Sequence, residues 1–519
     1  MDNLPEVVRA LLNPETYPEE TKTVRLVQTQ MSFVFITDRF VYKMKKAVNL
    51  GYVDYTTLAQ RKYFCDKEVE LNRRLSPDTY IGVFPITKKD QNYSFGGSGE
   101  VMEYVVKMKI LPYDRMLDNL LKEDNVTDDM MSRVARKMAE FHSVAATNQT
   151  ISKFGEIEAV RDNNEENLNQ MKPYIGQTLT EQKYQKIADF VYNFIQENAA
   201  LFEERVASNK IKDCHGDLHA AHICFENGLI IYDCIEFNDR FRYCDVAAEV
   251  AFLAMDLDHN GRADLAQSFI KSYIEYSGDD DINKLLKFYK CYRACVRGKV
   301  ACFKLDDPCV SAEHKKEAKD EAEAYFDLAC SYANTVPTLL ITVGLTGCGK
   351  STIASGLAKK LGLAYLSSDI TRKKLANIDA KEHRFDSFTG GIYSPEFTQK
   401  TYSQLFKETE EILKDGGSVI IDATFVRAAD RKTAQKLAEK YGARFFLIEC
   451  NIDDETARKR LDRRLTEESV SDGRWEIYLE QKKFMEPVQE IPAASHIKIN
   501  NAAPNTENIS CIIDRIGYI

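Results

Sequence analysis

Alternating apolar and polar positions near the start of the chain predict a sheet. Residues 24–30, 32–37 and 40–45 alternate and are rich in Val, Phe and Tyr, which is typical of half-buried strands. Apolar positions then take a helical spacing over 63–75. Three further strands are predicted over 83–87, 93–95 and 101–107. From residue 115 to about 207 the spacing is helical. The pattern therefore predicts a sheet with one inserted helix, followed by a helical region.

A second pattern begins near residue 338. An apolar run at 339–343 precedes a glycine-rich loop, and a helix is predicted over 352–361, ended by Gly362. Strands and helices then alternate, which predicts a doubly wound α/β domain with a parallel sheet and a helical lid. We place the domain boundary after the charged helix 313–334. The predicted domains are 1–335, with a small lobe over about 20–110 and a large lobe over about 111–335, and 336–519.

The glycine-rich loop predicts a phosphate site. Residues 344–351 match G-x-x-x-x-G-K-[ST] without a mismatch and lie between a strand and a helix. Glycines allow backbone N–H groups to surround phosphate oxygens, and the helix N-terminus adds partial positive charge. We expect Lys350 to reach the β- and γ-phosphates and Ser351 to bind Mg²⁺; the alternative is a turn that binds nothing. The predicted nucleotide-binding residues are Gly344, Gly347, Gly349, Lys350, Ser351 and Thr352.

Two strand ends after this loop carry candidate acceptor residues. Asp369 follows a short strand and is predicted either as the general base on a hydroxyl acceptor or as a helix N-cap. Arg372 is predicted to bind an acceptor or donor phosphate. Asp422 ends a buried strand at the edge where parallel sheets bind ligands. We therefore predict that Asp422 holds Mg²⁺ through water or orients the acceptor.

An arginine-dense helix over 454–464 precedes a predicted lid loop at 470–474. Arg460 and Arg464 are one helical turn apart and share a face. They are predicted either to stabilise charge on the transferring phosphoryl group or to lie on a charged exterior helix. With the preceding motifs, this half resembles the small P-loop kinases related to polynucleotide kinase, gluconate kinase and zeta toxins. The resemblance covers about 338–519 and names no acceptor.

A second chemical stretch lies in the first domain. His215-Gly-Asp-Leu-His219 is predicted as a polar loop, and a buried strand delivers Asp233 at its end. Two carboxylates so placed suit phosphoryl transfer, one accepting the hydroxyl proton and the other holding Mg²⁺. Asp245 is predicted to anchor this loop through hydrogen bonds.

Phosphoryl transfer also requires a lysine on a small-lobe strand. Lys43 lies in such a strand, and Glu68 follows 25 residues later as its predicted ion-pair partner. Glu70, on the same helix, is the alternative partner. Lys45 and Lys46 are interpreted as solvated lysines.

The H-G-D-L-H motif together with Asp233 resembles the aminoglycoside phosphotransferase-like, or choline-kinase-like, group of the protein-kinase fold, over about 20–330. The resemblance implies a bilobal α+β fold, with Asp217 as catalytic base and Asp233 as Mg²⁺ ligand. It also implies Lys43 as phosphate ligand, paired with Glu68. His222 stands where the family usually has an asparagine that binds the metal. We expect His222 as a metal ligand in its place, while Mg²⁺ prefers oxygen.

The two halves together resemble a bacterial fusion of such a domain with a P-loop kinase. We predict a two-headed phosphotransferase in which each domain, with Mg²⁺, passes the γ-phosphate of ATP to a hydroxyl. The sequence leaves GTP open as an alternative phosphate donor. The acceptor is predicted to be a small molecule, a nucleoside or a short RNA end. In the first alternative, one domain is a regulatory or pseudokinase module, as His222 indicates. The others are a nucleic-acid end kinase or toxin-like kinase, and a drug-resistance enzyme.

Composition and net charge indicate the kind of partner and the cellular compartment. The 519 residues carry a net charge of −10, which disfavours an extended nucleic-acid-binding surface. Thirteen cysteines without a C-x-x-C pair indicate a reducing compartment. The start of the chain has no signal-peptide pattern, and no apolar run reaches a membrane-spanning length. We therefore expect a cytoplasmic protein without a membrane partner, and the sequence leaves the oligomeric state open.

Overall fold

The computed structural model describes residues 4–307, 310–334, 336–378, 390–464, 473–501 and 505–516. These form two compact units, each assembled from three stretches of chain. The first unit contains Met1–Asn163, Ile195–Asp256 and Ser268–Tyr289, and the second contains Asn164–Phe194, Leu257–Gln267 and Lys290–Ile519. The predicted boundary between residues 335 and 336 stays a prediction, and residue 335 lies outside the described residues.

A six-stranded antiparallel sheet opens the first unit, as predicted. Its strands are β1 (Arg25–Gln28), β2 (Ser32–Ile36), β3 (Phe40–Lys45), β4 (Tyr80–Lys89), β5 (Asn92–Phe95) and β6 (Glu100–Lys109). The strand order is β1-β2-β3-β6-β4-β5. Helix α1 (Glu6–Ala10) precedes the sheet, and α2 (Leu58–Asn72) is the inserted helix. Successive side chains of β3 face opposite sides of the sheet, so Val41, Lys43 and Lys45 face α2, whereas Tyr42 and Met44 pack against α1.

Helix α2 begins five residues earlier than the predicted start at residue 63. The Thr57 hydroxyl accepts from the Gln60 N–H, and the Gln60 side chain accepts from the Thr57 N–H. This reciprocal capping box satisfies two backbone donors and fixes the first turn. The helix therefore presents Glu68 in its third turn, on the face turned to the sheet.

Short strands and helices follow and carry the polar loop. The elements are α3 (Leu117–Lys122), α4 (Asp128–Val144), α5 (Gln149–Ser152), α6 (Ile157–Met171), α7 (Glu181–Glu197), α8 (Ala199–Ala207), β7 (Ile211–Asp213), β8 (Ile223–Cys224), β9 (Ile230–Ile231), α9 (Asp239–Arg242), β10 (Tyr243–Asp245), α10 (Val246–His259), α11 (Ala263–Ser277), α12 (Ile282–Asp306) and α13 (Ala312–Tyr332). Strand β7 pairs with β10, and β8 pairs with β9, both antiparallel. The turn between β7 and β8 therefore lies beside the residues that follow β9.

The second unit contains a five-stranded parallel sheet, which confirms the doubly wound α/β prediction. Its elements are β11 (Thr338–Val343), α14 (Lys350–Leu361), β12 (Ala364–Ser367), α15 (Ser368–Leu375), α16 (Pro395–Lys414), β13 (Val419–Asp422), α17 (Ala428–Lys440), β14 (Arg444–Asn451), α18 (Asp454–Arg464), α19 (Trp475–Phe484), β15 (His496–Asn500) and α20 (Asn505–Ile516). The strand order is β12-β13-β11-β14-β15. All six residues of β11 are buried, as expected for a central parallel strand covered on both faces.

Helices from earlier in the chain complete the second unit. Gly362, which ends α14, lies so close to α13 that an added Cβ would be 2.8 Å from Leu328. The Tyr332 hydroxyl donates to Asp258 at 2.5 Å, and Lys183 of α7 pairs with Asp327. Among the described residues, no helix combines the length and the apolar character needed to span a membrane.

Candidate active sites

The loop between β7 and β8 carries Asp217 and is held rigidly by buried groups. His215 is fully buried, and its Nε2–H donates to the Tyr232 carbonyl at 2.9 Å. Its Nδ1 therefore accepts from the Asp217 N–H at 3.3 Å. Burial lowers the pKa of His215, which favours this neutral form. His215 acts as a brace that sets the backbone of Asp217.

Glu249 of α10 anchors the same loop, and sequence reasoning missed it. Its carboxylate accepts from the backbone N–H groups of His215 and Gly216 at 2.8 and 2.6 Å, and lies 2.8 Å from His142 Nε2. Burial opposes ionisation of Glu249, but the hydrogen bonds from His142 and the Gly216 N–H, together with the two nearby imidazoles, outweigh burial and hold the pKa at about 2. The predicted anchor, Asp245, instead binds Arg205. That prediction was wrong because β7–β10 pairing places Asp245 beside α8.

Two lysines of β3 meet one glutamate of α2. Lys43 Nζ lies 3.0 Å from Glu68 Oε1 and 2.8 Å from Asp233 Oδ1. Burial opposes ionisation of Asp233, but the Lys43 ammonium keeps its pKa well below the usual range. The structure thus brings three predicted site residues together. Glu70 points elsewhere, since its carboxylate pairs with Lys67 at 3.5 Å and is largely exposed.

Lys45 is not a solvated lysine, so that prediction was wrong. It is 2% exposed, and its Nζ lies 2.7 Å from Glu68 Oε2 and also pairs with Glu236. The Tyr55 hydroxyl donates to Glu236 at 3.0 Å. Residues two apart on a strand share a face, so Lys43 and Lys45 both point at Glu68.

His222 lies between the two predicted catalytic carboxylates. Its Nδ1 is 2.9 Å from the Asp217 carbonyl oxygen, and its Nε2 is 3.5 Å from Asp233 Oδ2. Burial, and then the neighbouring His219, lower the pKa of His222 to about 4. The Asp233 carboxylate is the hard oxygen ligand that Mg²⁺ requires, whereas the His222 nitrogen is not. The pair therefore fits Mg²⁺ only in part.

The phosphate loop has the backbone that its glycines permit. Gly344, Gly347 and Gly349 have φ of 145°, 81° and 84°, values that other residues rarely adopt. A Cβ on Gly349 would lie 2.1 Å from Asn501 Nδ2, and this amide donates to the Cys348 carbonyl at 2.7 Å. The close packing of residue 501 fixes the loop, and its sequence position after β15 gives no sign of it.

Two hydrogen-bond donors of the phosphate loop, the Thr346 N–H and Lys350 Nζ, are paired with oxygen atoms of the protein. Helix α14 begins at Lys350, two residues before the predicted start, and Ser351 and Thr352 are exposed on its first turn. Lys350 Nζ donates to the Leu345 carbonyl at 2.8 Å. The Thr346 N–H donates to the Gln481 side-chain oxygen of α19 at 2.8 Å. An amide oxygen on a loop N–H occupies a position that suits a phosphate oxygen.

Ser367, Asp369 and Arg372 occupy different positions on α15 and make different contacts. Ser367 caps α15 by accepting from the Ile370 N–H at 3.5 Å, so Asp369 lies in the first turn and is not the N-cap. Arg372 is buried and donates to the Ile392 carbonyl at 2.9 Å and to Thr398 at 3.1 Å. Arg372 thus connects α15 to the start of α16.

The remaining predicted residues flank the same edge of the sheet. Asp422, at the end of β13, is 5% exposed and accepts from the Tyr365 hydroxyl at 2.7 Å. Arg460 donates to the Asn501 carbonyl at 2.8 Å, beside the phosphate loop. The side chain of Arg464 and residues 470–472 of the predicted lid loop lie outside the described residues.

Comparison with known proteins gives the class of each half. Residues 97–283 match the sequence model of the phosphotransferase enzyme family, and residues 339–488 match a family described as AAA domain. The chain joins a phosphotransferase-family domain of the protein-kinase type to a P-loop kinase domain, which confirms the predicted fusion.

Relatives of the whole chain and of each half are known. Uncharacterized proteins of Mycobacterium tuberculosis and Mycobacterium bovis are 29% identical over 436 residues, which cover 84% of this chain and 85% of each relative. A solved choline/ethanolamine kinase family protein from Mesorhizobium loti is 12% identical, with a TM-score of 0.36, over 63% of this chain and 99% of its own. A sugar kinase from Janibacter is 19% identical, with a TM-score of 0.27, over 35% and 95% respectively.

Proposed function

We propose that the protein is a two-headed phosphotransferase. Each domain binds ATP with Mg²⁺ and passes the γ-phosphate to a hydroxyl of a small molecule, a nucleoside or an RNA end. The proposal is supported by two sets of residues of the types that phosphoryl transfer uses, one around Asp217 and Asp233 and one around Lys350. The twelve cysteines of the described residues are all free thiols, which supports work in a reducing cytoplasm.

In the first half, Asp217 accepts the proton of the acceptor hydroxyl. Lys43 holds the donor phosphates, and Glu68 orients Lys43. Asp233 holds Mg²⁺, whose charge stabilises the negative charge on the phosphates. The rigid backbone around Asp217, braced by His215 and Glu249, supports this role because phosphoryl transfer depends mostly on positioning.

In the second half, the loop N–H groups and Lys350 hold the donor phosphates. Ser351 offers its hydroxyl to Mg²⁺, and Asp422 supports that ion or the acceptor. Asp369, in the first turn of α15, is the base on the acceptor, and Arg372 contributes to phosphate binding. Arg460 and Arg464 stabilise charge on the transferring group.

One alternative has a specific observation in its favour. The His222 nitrogen beside Asp233 departs from an all-oxygen magnesium site, which favours a first domain that binds nucleotide without transferring phosphate. Asp217→Ala would then leave total phosphotransfer unchanged.

Transfer of ³²P from γ-labelled ATP and GTP to a panel of acceptors tests the proposal. The panel contains 5′-hydroxyl RNA and DNA, nucleosides, sugars and aminoglycosides. Asp217→Ala and Lys350→Ala are compared with the exposed control changes Asp129→Ala and Lys360→Ala. Each site variant is expected to lose labelling of one acceptor class while both controls keep it. Full labelling by both site variants would refute the assigned sites.

A further inference from the structure

His222 presents a nitrogen lone pair to Asp233. Its Nδ1 lies 2.9 Å from the backbone carbonyl oxygen of Asp217. A carbonyl oxygen only accepts hydrogen bonds, so Nδ1 carries the proton of this contact. A neutral imidazole has a single N–H. The other nitrogen, Nε2, is therefore the one that can bind a cation.

Asp233 presents a carboxylate oxygen to the same space. Its Oδ1 accepts from Lys43 Nζ at 2.8 Å, while its Oδ2 lies 3.5 Å from His222 Nε2. Ligand bonds of about 2.1 Å at angles of about 90–110° place two ligand atoms about 3.0–3.4 Å from each other. The observed separation is close to that range, so one cation fits between Nε2 and Oδ2 with little side-chain movement.

We propose that His222 Nε2 and Asp233 Oδ2 form a site that selects a first-row transition cation, such as Mn²⁺, over Mg²⁺. Imidazole nitrogen binds these metals well, whereas Mg²⁺ favours oxygen ligands. The proposal deepens the proposed function and rests on it only for the role of the ion in phosphoryl transfer. Binding of the ion itself follows from the donor atoms.

The surroundings favour a bound cation. Asp217 adds a second carboxylate, with Oδ2 3.5 Å from His219 Nε2 and 3.6 Å from His222 Nδ1. The ligand atoms that Asp217, His219 and His222 can offer lie within 4.8 Å of one another. The hydrogen bond to the carbonyl already occupies His222 Nδ1, which is why we assign Nε2 as the ligand. The backbone contact fixes the ring orientation, as second-shell partners of metal-bound histidines do.

Mn²⁺ binding to the full-length protein without nucleotide tests the site. Ser351→Ala serves as the background, so that the phosphate-loop hydroxyl contributes no ligand. Electron paramagnetic resonance measures free Mn²⁺ during titration, and pulsed measurements detect ¹⁴N coupling from a bound imidazole. We expect a ¹⁴N coupling that His222→Asn removes, together with a fall in Mn²⁺ affinity of about 10-fold or more. His314→Asn, far along the sequence on α13, is the matched control and is expected to change neither.

Competition with Mg²⁺ measures the selectivity. A large excess of Mg²⁺ is expected to be needed to displace Mn²⁺ from the parent protein, and a smaller excess from His222→Asn, whose amide oxygen is a harder ligand. Absence of ¹⁴N coupling, or equal displacement in both proteins, would overturn the proposal. If coupling is present but the first domain transfers no phosphate, the metal site stands and the proposed function of that domain fails. If Mg²⁺ alone supports transfer and coupling is absent, the proposed function of that domain stands and the proposed metal site fails.

Discussion

At the scale of single residues, Lys45 shows how a buried charge is kept. Burial opposes its ionisation, but the carboxylates of Glu236 and Glu68 raise its pKa well above the ordinary value. Lys45 therefore stays an ammonium that joins α2 to the segment after β9. Removing one partner of a buried ion pair leaves an uncompensated charge, which costs more than the pair itself contributes.

We expect Lys45→Met to lower the free energy of unfolding by about 3–5 kcal/mol, because Glu236 loses its ammonium partner. Lys46→Met is the matched control, since Lys46 is half-buried and lies over the Phe33 ring at 4.8 Å; we expect a loss within about 1 kcal/mol. Urea denaturation followed by circular dichroism measures both. Equal losses would show that the ion pair is not the cause.

Glu249 predicts a pH dependence of stability. Its folded pKa of about 2 lies below the ordinary glutamate value of 4.5, so its contribution to stability is complete above about pH 4.5 and is lost as the pH falls toward 2. We expect Glu249→Gln to be less stable than the parent protein by about 3 kcal/mol at neutral pH. Urea denaturation at several pH values is expected to show this gap shrinking below about pH 4.5. A gap independent of pH would contradict the assigned pairing.

At the scale of elements, the phosphate loop and the start of α14 depend on the close packing of Asn501 against Gly349. We expect Gly349→Ala to weaken nucleotide binding at the second site by about 10-fold or more, because the added Cβ would displace Asn501 and carry the loop backbone with it. Fluorescent-nucleotide titration measures the change in a Lys43→Ala background, so that the second site dominates the signal.

Gly416→Ala controls for the general cost of placing alanine at a positive φ outside the phosphate loop. Gly416 has φ of 73°, similar to the 84° of Gly349, but no atom lies within 4 Å of its added Cβ. We expect this control to cost about 1–2 kcal/mol of stability and to leave nucleotide affinity unchanged. If both variants weaken binding equally, general destabilisation rather than the contact with Asn501 is responsible.

The sequence was sufficient for elements whose signals are local. The glycine loop, the buried strand β11 and the alternation of β1 to β3 each specify their structure over a few residues. The start of α2 was misplaced because its capping box, Thr57 and Gln60, precedes the apolar spacing that marks the helix. Side-chain periodicity locates a helix face better than it locates a helix end.

Local sequence patterns do not predict contacts between site residues and partners that are distant in sequence. Glu249 meets His215 across 34 residues, Asn501 meets Cys348 across 153, and Gln481 meets Thr346 across 135. Each contact depends on tertiary packing, and the residues themselves are ordinary in their local context. Lys45 was misjudged for the same reason, since a lysine is usually solvated unless paired.

At the scale of the whole molecule, the second unit is assembled from three stretches of chain. We expect a fragment of residues 336–519 to melt about 5–10 °C below a fragment of residues 290–519, because only the longer one retains α13 against α14. Differential scanning calorimetry of both fragments measures this difference. Equal melting temperatures would show that the α/β sheet is stable without α13.

The interleaved stretches also bear on how the protein is made. The second unit takes its first stretch from residues 164–194, and its last strand, β15, ends at Asn500. Ribosomes add about 5–20 residues per second, so the ~300 residues between these segments take roughly 15–60 s to translate. Helices α6 and α7 gain partners earlier in this interval, when α12 and α13 are made, because Asn167 contacts Tyr292 and Lys183 pairs with Asp327. A ribosome that stalls before β15 therefore leaves a nascent chain in which the sheet of the second unit lacks its edge strand β15.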